Sequence, residues 1–316
     1  ESTYGDRERI DASEEVRRAA LREAVTAAAR HRDGALIIPS FAVERTQELL
    51  ADLVFLADRN DIPTCPIIID SPLATRATEI FSAHAGELDH GDLLLRALRS
   101  HSVRFTESVE QSKAVDFIHG FHIVIAASGM CEAGRIRHRL KNWLWREEGT
   151  VLLVGYQAAG TLGRILQEGA GTVRIQGEEI TVRASIRSID AYSGHADGVE
   201  LSKWLDGRRP VRKGLFLVHG EEGAIAGMQA RAGGIVDPSI IHAPRIDGAF
   251  RLDETGPVDL SPALAEPRLD PIQVGHRDWN NDFQVLLQDL QAQLRLAADD
   301  KARAVILRKI RRALEA

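Results

Sequence analysis

Two histidines stand at similar places in the chain and could do chemistry. His195 lies in YSGHAD (192–197) and His219 lies in LVHGEE (217–222). Each follows an apolar stretch, has a small residue beside it and precedes acidic residues, as expected where a strand gives way to a helix. Parallel α/β folds carry functional groups at such junctions. An imidazole there can bind a metal ion or move a proton near neutral pH, so the pair favours a functional role over a purely structural one.

The acids beside these histidines have a simpler interpretation. Asp197, Glu221 and Glu222 would stand at helix N-termini, where a negative charge is stabilising by itself, and we favour that role for Asp197 and Glu222. A histidine that acts in catalysis or metal binding usually has its second nitrogen held by a carboxylate or carbonyl oxygen. We therefore expect a carboxylate partner from elsewhere in the chain.

The elements that must position these groups begin with four strand-then-helix units. Buried strands are predicted in ALIIPS (35–40), CPIIIDSP (65–72), FHIVIAASGM (121–130) and at the start of TVLLVGYQAAGTLGRIL (150–166). Their apolar runs do not alternate with polar residues, which is typical of strands buried on both faces. The pattern predicts an α/β fold with a parallel sheet covered by helices on both sides.

The pattern changes after Gly169. Residues 172–189 alternate apolar and polar with a glycine at the reversal, which predicts an antiparallel hairpin. Strands are expected at 214–222 and 239–242, with a helix at 224–232 between them. A Pro-rich linker then precedes two helical patterns with regular apolar spacing. That spacing favours packing or oligomerisation over RNA contact, and a homodimer is among the partners it allows.

Composition sets limits on function. The chain has 316 residues, enough for two cores, and a net charge of −6, which argues against general binding of polyanions. Two widely separated cysteines suit a reducing cytoplasm and predict no disulfide. Because no apolar run approaches the ~18 residues of a membrane span, we expect a cytoplasmic globular protein with no membrane partner.

Five motifs together resemble the β-CASP nucleases of the metallo-β-lactamase fold. They are ESTYGDR (1–7), PSFAVERTQELL (39–50), ASGM (127–130), SGHAD (193–197) and LVHGE (217–221). The resemblance covers residues 1 to about 250. The family includes RNase J and the endonuclease of pre-mRNA cleavage. Any one motif is weak, but five in the family's order are specific.

The resemblance implies a zinc-dependent nuclease that hydrolyses RNA. In the family, two zinc ions activate a hydroxide that attacks phosphorus, and single-stranded RNA enters a cleft between two domains. Carried over by motif, Glu1 and His195 form a hydrogen-bonded catalytic pair that stabilises charge or protonates the leaving oxygen. His219 matches a zinc ligand. The resemblance does not distinguish endonuclease from exonuclease action.

The sequence departs from the family at one point. The His-x-His-x-Asp-His motif that supplies most zinc ligands in the family is absent from the sequence. One histidine cannot hold a dinuclear zinc site. The expectation is that the chain represents the C-terminal portion of such an enzyme. By itself it is then expected to lack a complete zinc site and nuclease activity.

Candidate phosphate or RNA contacts lie in two Gly-containing turns and one helix. They are Thr161 and Arg164 in GYQAAGTLGR (155–164), Ser128, Gly129 and Arg135 in SGMCEAGR (128–135), and Arg45. A turn that needs glycine for its geometry explains the first two stretches equally well, and a solvated helix face explains Arg45. Arg135, Arg139 and Arg146 share one predicted helical face near Trp143 and Trp145, a combination that suits single-stranded nucleic acid.

These observations give a predicted organisation. The end of an N-terminal metallo-β-lactamase half occupies 1–12, the β-CASP domain 13–183, the C-terminal part of the αββα sandwich 184–250, a linker 251–277 and a helical hairpin 278–316. The predicted function is RNA phosphodiester hydrolysis. A DNA-directed nuclease of the same fold and an inactive RNA-binding or scaffold subunit remain alternatives, although intact Glu1, His195 and His219 argue against the inactive subunit.

Overall fold

The computed structural model describes residues 1–9, 13–261, 290, 293–295 and 297–314. Most of the predicted linker and the first of the two C-terminal helical patterns lie outside these residues. By internal contacts the chain divides into a larger unit, 17–190 with 275–316, and a smaller unit, 1–16 with 191–274. The larger unit ends its first segment at Asp190, beyond the residue 183 expected from the sequence.

A six-stranded parallel sheet forms the centre of the larger unit. Its strands lie in the order β3-β2-β4-β1-β5-β8, and every neighbouring pair is parallel. The strands of this unit are β1 Ala35–Pro39, β2 Ile67–Asp70, β3 Val103–Phe105, β4 His122–Ala126, β5 Gly149–Val154, β6 Thr172–Ile175, β7 Glu178–Thr181 and β8 Ser185–Ile189.

Burial follows position in the sheet. Every residue of the four central strands β1, β2, β4 and β5 is buried, whereas the edge strands β3 and β8 are partly exposed. Helices on both faces explain why the central strands are apolar throughout. The four strand-then-helix units predicted from the sequence are confirmed. The helices are α1 Glu14–Ala28, α2 Arg45–Asp58, α3 Pro72–Ala83, α4 Gly91–Arg99, α5 Val109–Ala114, α6 Ile136–Trp143 and α7 Leu162–Gln167.

The hairpin predicted over 172–189 is confirmed only in its first part. β6 and β7 pair antiparallel around Gly177, which adopts a positive φ of 85°. β8 instead joins the main sheet and pairs in parallel with β5. The prediction of a hairpin strand over 185–189 is therefore wrong, because the alternating pattern of an edge strand is the same in either setting.

Among its described residues, the smaller unit contains two α-helices and a short parallel strand pair. Helices α8 Gly198–Asp206 and α9 Glu222–Gly233 accompany strands β9 Leu215–Phe216 and β10 Ile241–His242. Its core consists of five buried side chains, Leu205, Leu217, Met228, Ala232 and Ile241. The strand predicted at 214–222 is thus much shorter than expected, and the chain leaves it before His219.

The residues that follow the core of the smaller unit correct one further prediction. β11 Phe250–Asp253 and β12 Gly256–Asp259 form an antiparallel hairpin, so the linker predicted from residue 251 is wrong for this stretch. Near the C-terminus, α10 Asp300–Leu314 is helical, while most of the hairpin partner predicted for it lies outside the described residues. Within the described parts of the chain, none of the helices has the length and apolar character needed to cross a bilayer.

Candidate functional site

The first nine residues are held in place by the smaller unit. The Ser2 amide donates to the His219 carbonyl at 3.1 Å, and the Gly198 amide donates to the Arg7 carbonyl at 3.0 Å. The Arg9 amide donates to Asp197 Oδ2 at 2.8 Å. This segment therefore touches both histidine motifs through its backbone.

Two glycines let the same segment approach helix α9 closely. A Cβ on Gly5 would lie 2.5 Å from the Ala224 carbonyl oxygen, and one on Gly227 would lie 2.6 Å from Asp6 Cα. Contacts that short leave no room for a side chain at either position. The Gly5 amide also closes a turn onto the Ser2 carbonyl at 3.0 Å. The glycine of ESTYGDR is thus a packing requirement of the segment that carries Glu1.

Glu1 places one carboxylate oxygen between the two histidines. Its Oε2 lies 3.0 Å from His195 Nδ1 and 3.0 Å from His219 Nδ1. Its Oε1 accepts a hydrogen bond from the Thr3 amide at 2.6 Å, and Thr3 Oγ1 lies 3.1 Å from His219 Nδ1. The imidazole rings are 5.4 Å apart between centroids. The three residues brought forward from the sequence therefore form one cluster.

The electrostatics of this cluster favour an ionised Glu1. Partial burial of the carboxyl group opposes ionisation, but hydrogen bonds from Thr3 and His195 outweigh it and lower the pKa of Glu1 to about 2. An anionic Oε2 facing both Nδ1 atoms assigns a proton to each of them. The Nε2 atoms of His195 and His219 are then free to donate a proton or bind a metal ion.

Local structure fixes the orientation of His195. Asp197 caps helix α8, accepting from the Val199 and Glu200 amides at 2.9 Å each, and Glu200 completes a capping box. Burial of Asp197 opposes ionisation, but these hydrogen bonds and the one from the Arg9 amide lower the pKa of the Asp197 carboxyl. The predicted capping role of Asp197 is confirmed. Tyr4 sets its ring edge-on to His195, with centroids 6.1 Å apart.

The donor set of the cluster suits a zinc ion. Glu1, His195 and His219 each offer one ligand atom, and these atoms lie within 4.8 Å of one another. Two imidazole nitrogens and one carboxylate oxygen are the ligands of a catalytic zinc site with three protein groups. His219 is exposed and has a positive φ of 59°. Three donors can hold one zinc ion but cannot hold two.

Two of the predicted substrate-binding residues line a cavity in the larger unit. Ser128 and Arg135 lie in the wall of a cavity of about 650 Å³ at the carboxyl ends of β1, β2 and β4. Ser128 Oγ accepts a long hydrogen bond, 3.4 Å, from the Ala133 amide. Its hydroxyl thus helps to shape the turn that carries it.

Arg135 is committed to protein acceptors. Its guanidinium donates to Asp70 Oδ1 at 3.2 Å, to Thr106 Oγ1 at 3.0 Å and to the Glu107 carbonyl at 3.0 Å. Its side chain is only 14% exposed. Arg139, expected on the same basic surface, is 2% exposed and pairs with Asp70 and Asp116. The predicted basic face of this helix is therefore wrong for Arg139.

The two tryptophans of that region, Trp143 and Trp145, differ in their burial. Trp143 is 5% exposed and belongs to the core, whereas Trp145 is 51% exposed. Arg146 lies between them, with its guanidinium carbon 4.7 Å from the Trp143 ring centroid and 4.9 Å from that of Trp145. Trp145 is therefore the one of these two tryptophans that presents its ring to solvent.

The other turn residues are joined through Gln157. Its Nε2 donates to the Gly129 carbonyl at 3.1 Å, and Arg164 Nη1 donates to the Gln157 carbonyl at 3.4 Å. Thr161 caps α7, accepting from the Arg164 amide at 3.3 Å, and Arg164 pairs with Glu168 at 2.6 Å. These contacts support the turn-geometry alternative for Thr161.

Arg45 has a partner of its own. It forms an ion pair with Glu48 within α2, and its side chain is only 11% exposed. The solvated helix face expected as its alternative role is therefore wrong. Burial raises the pKa of Glu48, while Arg45 and Arg17 oppose that shift.

Several residues of these sites were not singled out from the sequence. Thr3 contacts both Glu1 and His219, and Asp70 anchors Arg135 and Arg139 from the end of β2. A detectable signal existed for Asp70, since a carboxylate that ends the apolar run IIID needs buried partners. Nothing local to Thr3 indicates its two contacts.

Known proteins resemble this chain over both units. Residues 46–166 match the Beta-Casp domain model, and residues 179–236 match the model described as Zn-dependent metallo-hydrolase RNA specificity domain. The chain is 36% identical over 229 residues to "Ribonuclease TTHA0252" of Thermus thermophilus, covering 70% of this chain and 51% of that protein.

Archaeal relatives show the same similarity. The chain is 30% identical over 237 residues to "Transcription termination factor FttA" of Methanocaldococcus jannaschii, covering 70% of this chain and 36% of that protein. For the protein of that name from Pyrococcus horikoshii the identity is 31% over 238 residues, covering 35% of that protein. The chain thus spans about half or less of the length of these relatives. Two domain models matched in sequence order cover more than half of the chain, which carries the motif residues Glu1, His195 and His219 in one cluster. The chain therefore belongs to the β-CASP family of the metallo-β-lactamase fold.

Proposed function

We propose that this chain supplies the proton-transfer pair and one zinc-binding histidine of a zinc-dependent ribonuclease that hydrolyses RNA phosphodiester bonds. The observation that carries the proposal is the position of Glu1 Oε2, 3.0 Å from Nδ1 of both His195 and His219. The name of the Thermus relative and the description of the domain matched at 179–236 support RNA as the substrate.

In this proposal His195 is the general acid. The ionised Glu1 accepts from Nδ1–H and orients the ring, which presents Nε2–H to the leaving oxygen of the scissile phosphodiester when the imidazole carries both protons. Tyr4 and the capped start of α8 hold the ring in one orientation. The low pKa of Glu1 keeps this carboxylate charged throughout the neutral pH range.

His219 would hold zinc through Nε2. The hydrogen-bonding contacts of its Nδ1 with Glu1 and Thr3 favour the tautomer that leaves Nε2 as the metal-binding nitrogen. Zinc, when bound, supplies Lewis-acid activation of water and neutralises charge on the phosphate. We propose two zinc ions for the complete enzyme, with the remaining ligands contributed by the family's His-x-His-x-Asp-His motif.

The short distances between the ligand atoms favour a second way in which the same three residues could bind zinc. Ligand atoms within 4.8 Å of one another would also allow Glu1, His195 and His219 to bind a single zinc ion together. In that arrangement His195 is a ligand and not an acid. The two arrangements predict opposite effects of the same substitution on zinc content.

The experiment uses a chimera that joins the unmatched part of the Thermus relative to Glu1, so that the family's remaining zinc ligands are present. With His195→Ala, the chimera should keep its zinc, measured by elemental analysis, and lose at least ~100-fold in the rate of RNA cleavage. His101→Ala is the matched control, since His101 is exposed and belongs to the other unit.

Four outcomes contradict parts of this proposal. Cleavage by His195→Ala at the unsubstituted rate would exclude the acid role. Loss of a zinc ion from that variant would favour the three-ligand arrangement. Cleavage of single-stranded DNA in preference to RNA would establish the DNA-directed alternative, and no cleavage by the unsubstituted chimera would favour the inactive RNA-binding subunit.

Partners and location complete the proposal. We propose that the substrate is single-stranded RNA and that the protein acts in the cytoplasm, in keeping with its two free cysteines. A homodimer stays a prediction, and sedimentation of the chain at several concentrations would test it.

A further inference from the structure

The loop that carries His195, residues 193–197, is contacted by the side chain of Arg9. Arg9 Nη1 donates to the Ser193 carbonyl at 2.9 Å, and Arg9 Nη2 donates to Glu200 Oε2 at 3.0 Å. Ser193 precedes the histidine, and Glu200 follows it in the first turn of helix α8. One guanidinium therefore contacts the chain on both sides of His195.

The same arginine joins the cap of helix α8. Glu200 Oε2, which accepts from Arg9 Nη2, also accepts from the Asp197 amide at 2.9 Å. The Arg9 amide donates to Asp197 Oδ2 at 2.8 Å, while Asp197 Oδ1 accepts from the Val199 and Glu200 amides. Main chain and side chain of Arg9 thus both bind the capping box that ends the loop.

The surroundings of Arg9 leave its guanidinium little freedom. Its side chain is 17% exposed, and its buried Nε has no hydrogen-bond partner among the residues that the structure describes. Its guanidinium carbon lies 5.9 Å from the centroid of the Tyr4 ring, and Tyr4 in turn meets His195 edge-on. Because burying a charged group costs free energy, the two contacts of the Nη atoms are needed to offset that cost.

Arg9 belongs to the segment that begins with Glu1. This segment runs parallel to the loop, with a backbone bridge between Tyr4 and Asp197. Glu1 Oε2 meets His195 Nδ1 at 3.0 Å near one end of the paired stretch, and Arg9 binds the loop from the other end. The contact between carboxylate and imidazole therefore depends on how far the loop can shift along the segment.

Arg7 provides a comparison within the same segment. Its guanidinium carbon lies 5.3 Å from the Tyr4 ring centroid, closer than that of Arg9. Its side chain is 50% exposed, and its Nε lies 3.6 Å from Asp6 Oδ1. Within the described parts of the chain, the Arg7 side chain makes no hydrogen bond to the loop. The two arginines thus share the contact with Tyr4 and differ in the contact with the loop.

We propose that Arg9 is a positioning residue for the Glu1–His195 pair. Its guanidinium holds the loop so that His195 Nδ1–H stays on Glu1 Oε2 and Nε2 is left for the reaction. Without these two contacts the loop shifts, Nδ1 loses its acceptor, and the ring takes up both neutral tautomers. The proposal rests on the proposed function only through the acid role of His195, since the contact with Glu1 can be measured without any cleavage reaction.

The first test is NMR of the 316-residue chain with 15N-labelled histidine side chains at pH 8. In the unsubstituted chain, the His195 ring should show the 15N shifts of a single tautomer with its proton on Nδ1. Arg9→Ala should shift His195 towards a mixture of both tautomers, and Arg7→Ala should leave it unchanged. An Arg9→Ala chain in which His195 keeps the original 15N shifts would overturn the proposal.

A second variant covers the case in which Arg9→Ala does not fold, which thermal unfolding would reveal. Arg9→Lys keeps the positive charge but lacks the planar fork that serves two separate acceptors, so it should also give mixed tautomers. A folded Arg9→Lys chain with a single Nδ1–H tautomer would show that charge alone is sufficient and would contradict the role of the fork.

Chemical rescue separates positioning from a general loss of stability. Millimolar methylguanidinium added to Arg9→Ala, or to Arg9→Lys if only that variant folds, should restore the single tautomer, because it can donate to the same two acceptors. Urea has a similar planar shape without the charge and should not restore it at the same concentration. Equal effects of the two compounds, or none from either, would count against a guanidinium site beside the loop.

The last measurement uses the chimera with the Thermus relative described above. Arg9→Ala should lower the cleavage rate at saturating RNA by about 10–100-fold and leave KM and zinc content unchanged, because a misplaced acid is felt in the transition state. Arg7→Ala should cleave at the unsubstituted rate. If the unsubstituted chimera does not cleave, the proposed function fails, while the NMR result still decides whether Arg9 positions His195. Full activity of an Arg9→Ala chimera would overturn the positioning role.

Discussion

Arg139 and Asp70 form an ion pair in the interior of the parallel-sheet unit. Arg139 Nε lies 3.0 Å from Asp70 Oδ2, and the two side chains are 2% and 0% exposed. Asp70 also accepts from Thr106 Oγ1 at 2.6 Å and from Ser112 Oγ at 3.1 Å. Arg135 Nη1 donates to Asp70 Oδ1 at 3.2 Å as well, so four donors surround this buried carboxylate and join β2 to α5 and α6.

Removing one partner should be costly. Arg139→Met leaves Asp70 charged and partly unpaired in the interior, and we expect a loss of about 3–5 kcal/mol in the free energy of unfolding. Urea unfolding followed by circular dichroism measures it. Arg96→Ala, which breaks the exposed pair with Asp58, is the control and should cost about 1 kcal/mol or less. Equal losses for the two variants would show that the buried ion pair contributes no more to the free energy of unfolding than the exposed pair does.

A second prediction concerns the approach of the first segment to α9. Gly227→Ala would place a Cβ 2.6 Å from Asp6 Cα, so we expect about 1–3 kcal/mol of destabilisation. Gly223→Ala in the same helix meets no atom within 4 Å and should stabilise the helix by up to about 1 kcal/mol. Thermal unfolding of both variants measures the difference. Two similar shifts would mean that the segment does not pack on α9 as described.

The sequence predicted the elements whose burial is complete. The apolar runs of β1, β2, β4 and β5 have no other explanation than strands covered on both faces, and all four are present. Helix α4 and strand β3 were not predicted, because they are short, with nine and three residues. The direction of β8 also escaped prediction, since alternation does not tell which neighbour a strand pairs with.

Among the candidate site residues, too, some contacts were predicted from the sequence and others were not. The motif resemblance predicted that Glu1 meets His195, and the structure joins them across 194 residues of sequence. Arg139 looked like a surface cation because its partner Asp70 lies 69 residues away. No local pattern shows that two charges will neutralise each other in a core, so this ion pair could be found only from the structure.

The buried thiols give a prediction on pH. Burial raises the pKa of Cys65 to about 11 and also raises the pKa of Cys131, so both thiols should react slowly with a disulfide reagent at pH 8. We expect the folded chain to react at least ~100-fold more slowly than the chain in urea, because the thiolate fraction falls tenfold per pKa unit. Rapid reaction of either thiol in the folded chain would contradict its burial.

The same shift affects stability in alkali. A thiol whose pKa is raised in the folded state stabilises that state below its ordinary pKa, and this contribution is lost as pH rises towards the folded value. For Cys65 the loss should fall between pH 9 and about 11. Cys65→Ala should flatten the decline of unfolding free energy over this window. An unchanged slope would exclude Cys65 as its source.

The last prediction concerns zinc in the 316-residue chain itself. Glu1, His195 and His219 can complete one site at most, because each zinc ion needs three or four protein ligands. Dialysis against zinc followed by elemental analysis should therefore find fewer than two zinc ions per chain, and RNA cleavage by this chain should be undetectable. His219→Ala should lower whatever zinc is retained, and His101→Ala should not. Two zinc ions per chain would mean that other residues complete a dinuclear site, and the ligand assignment of His219 would then have to be revised.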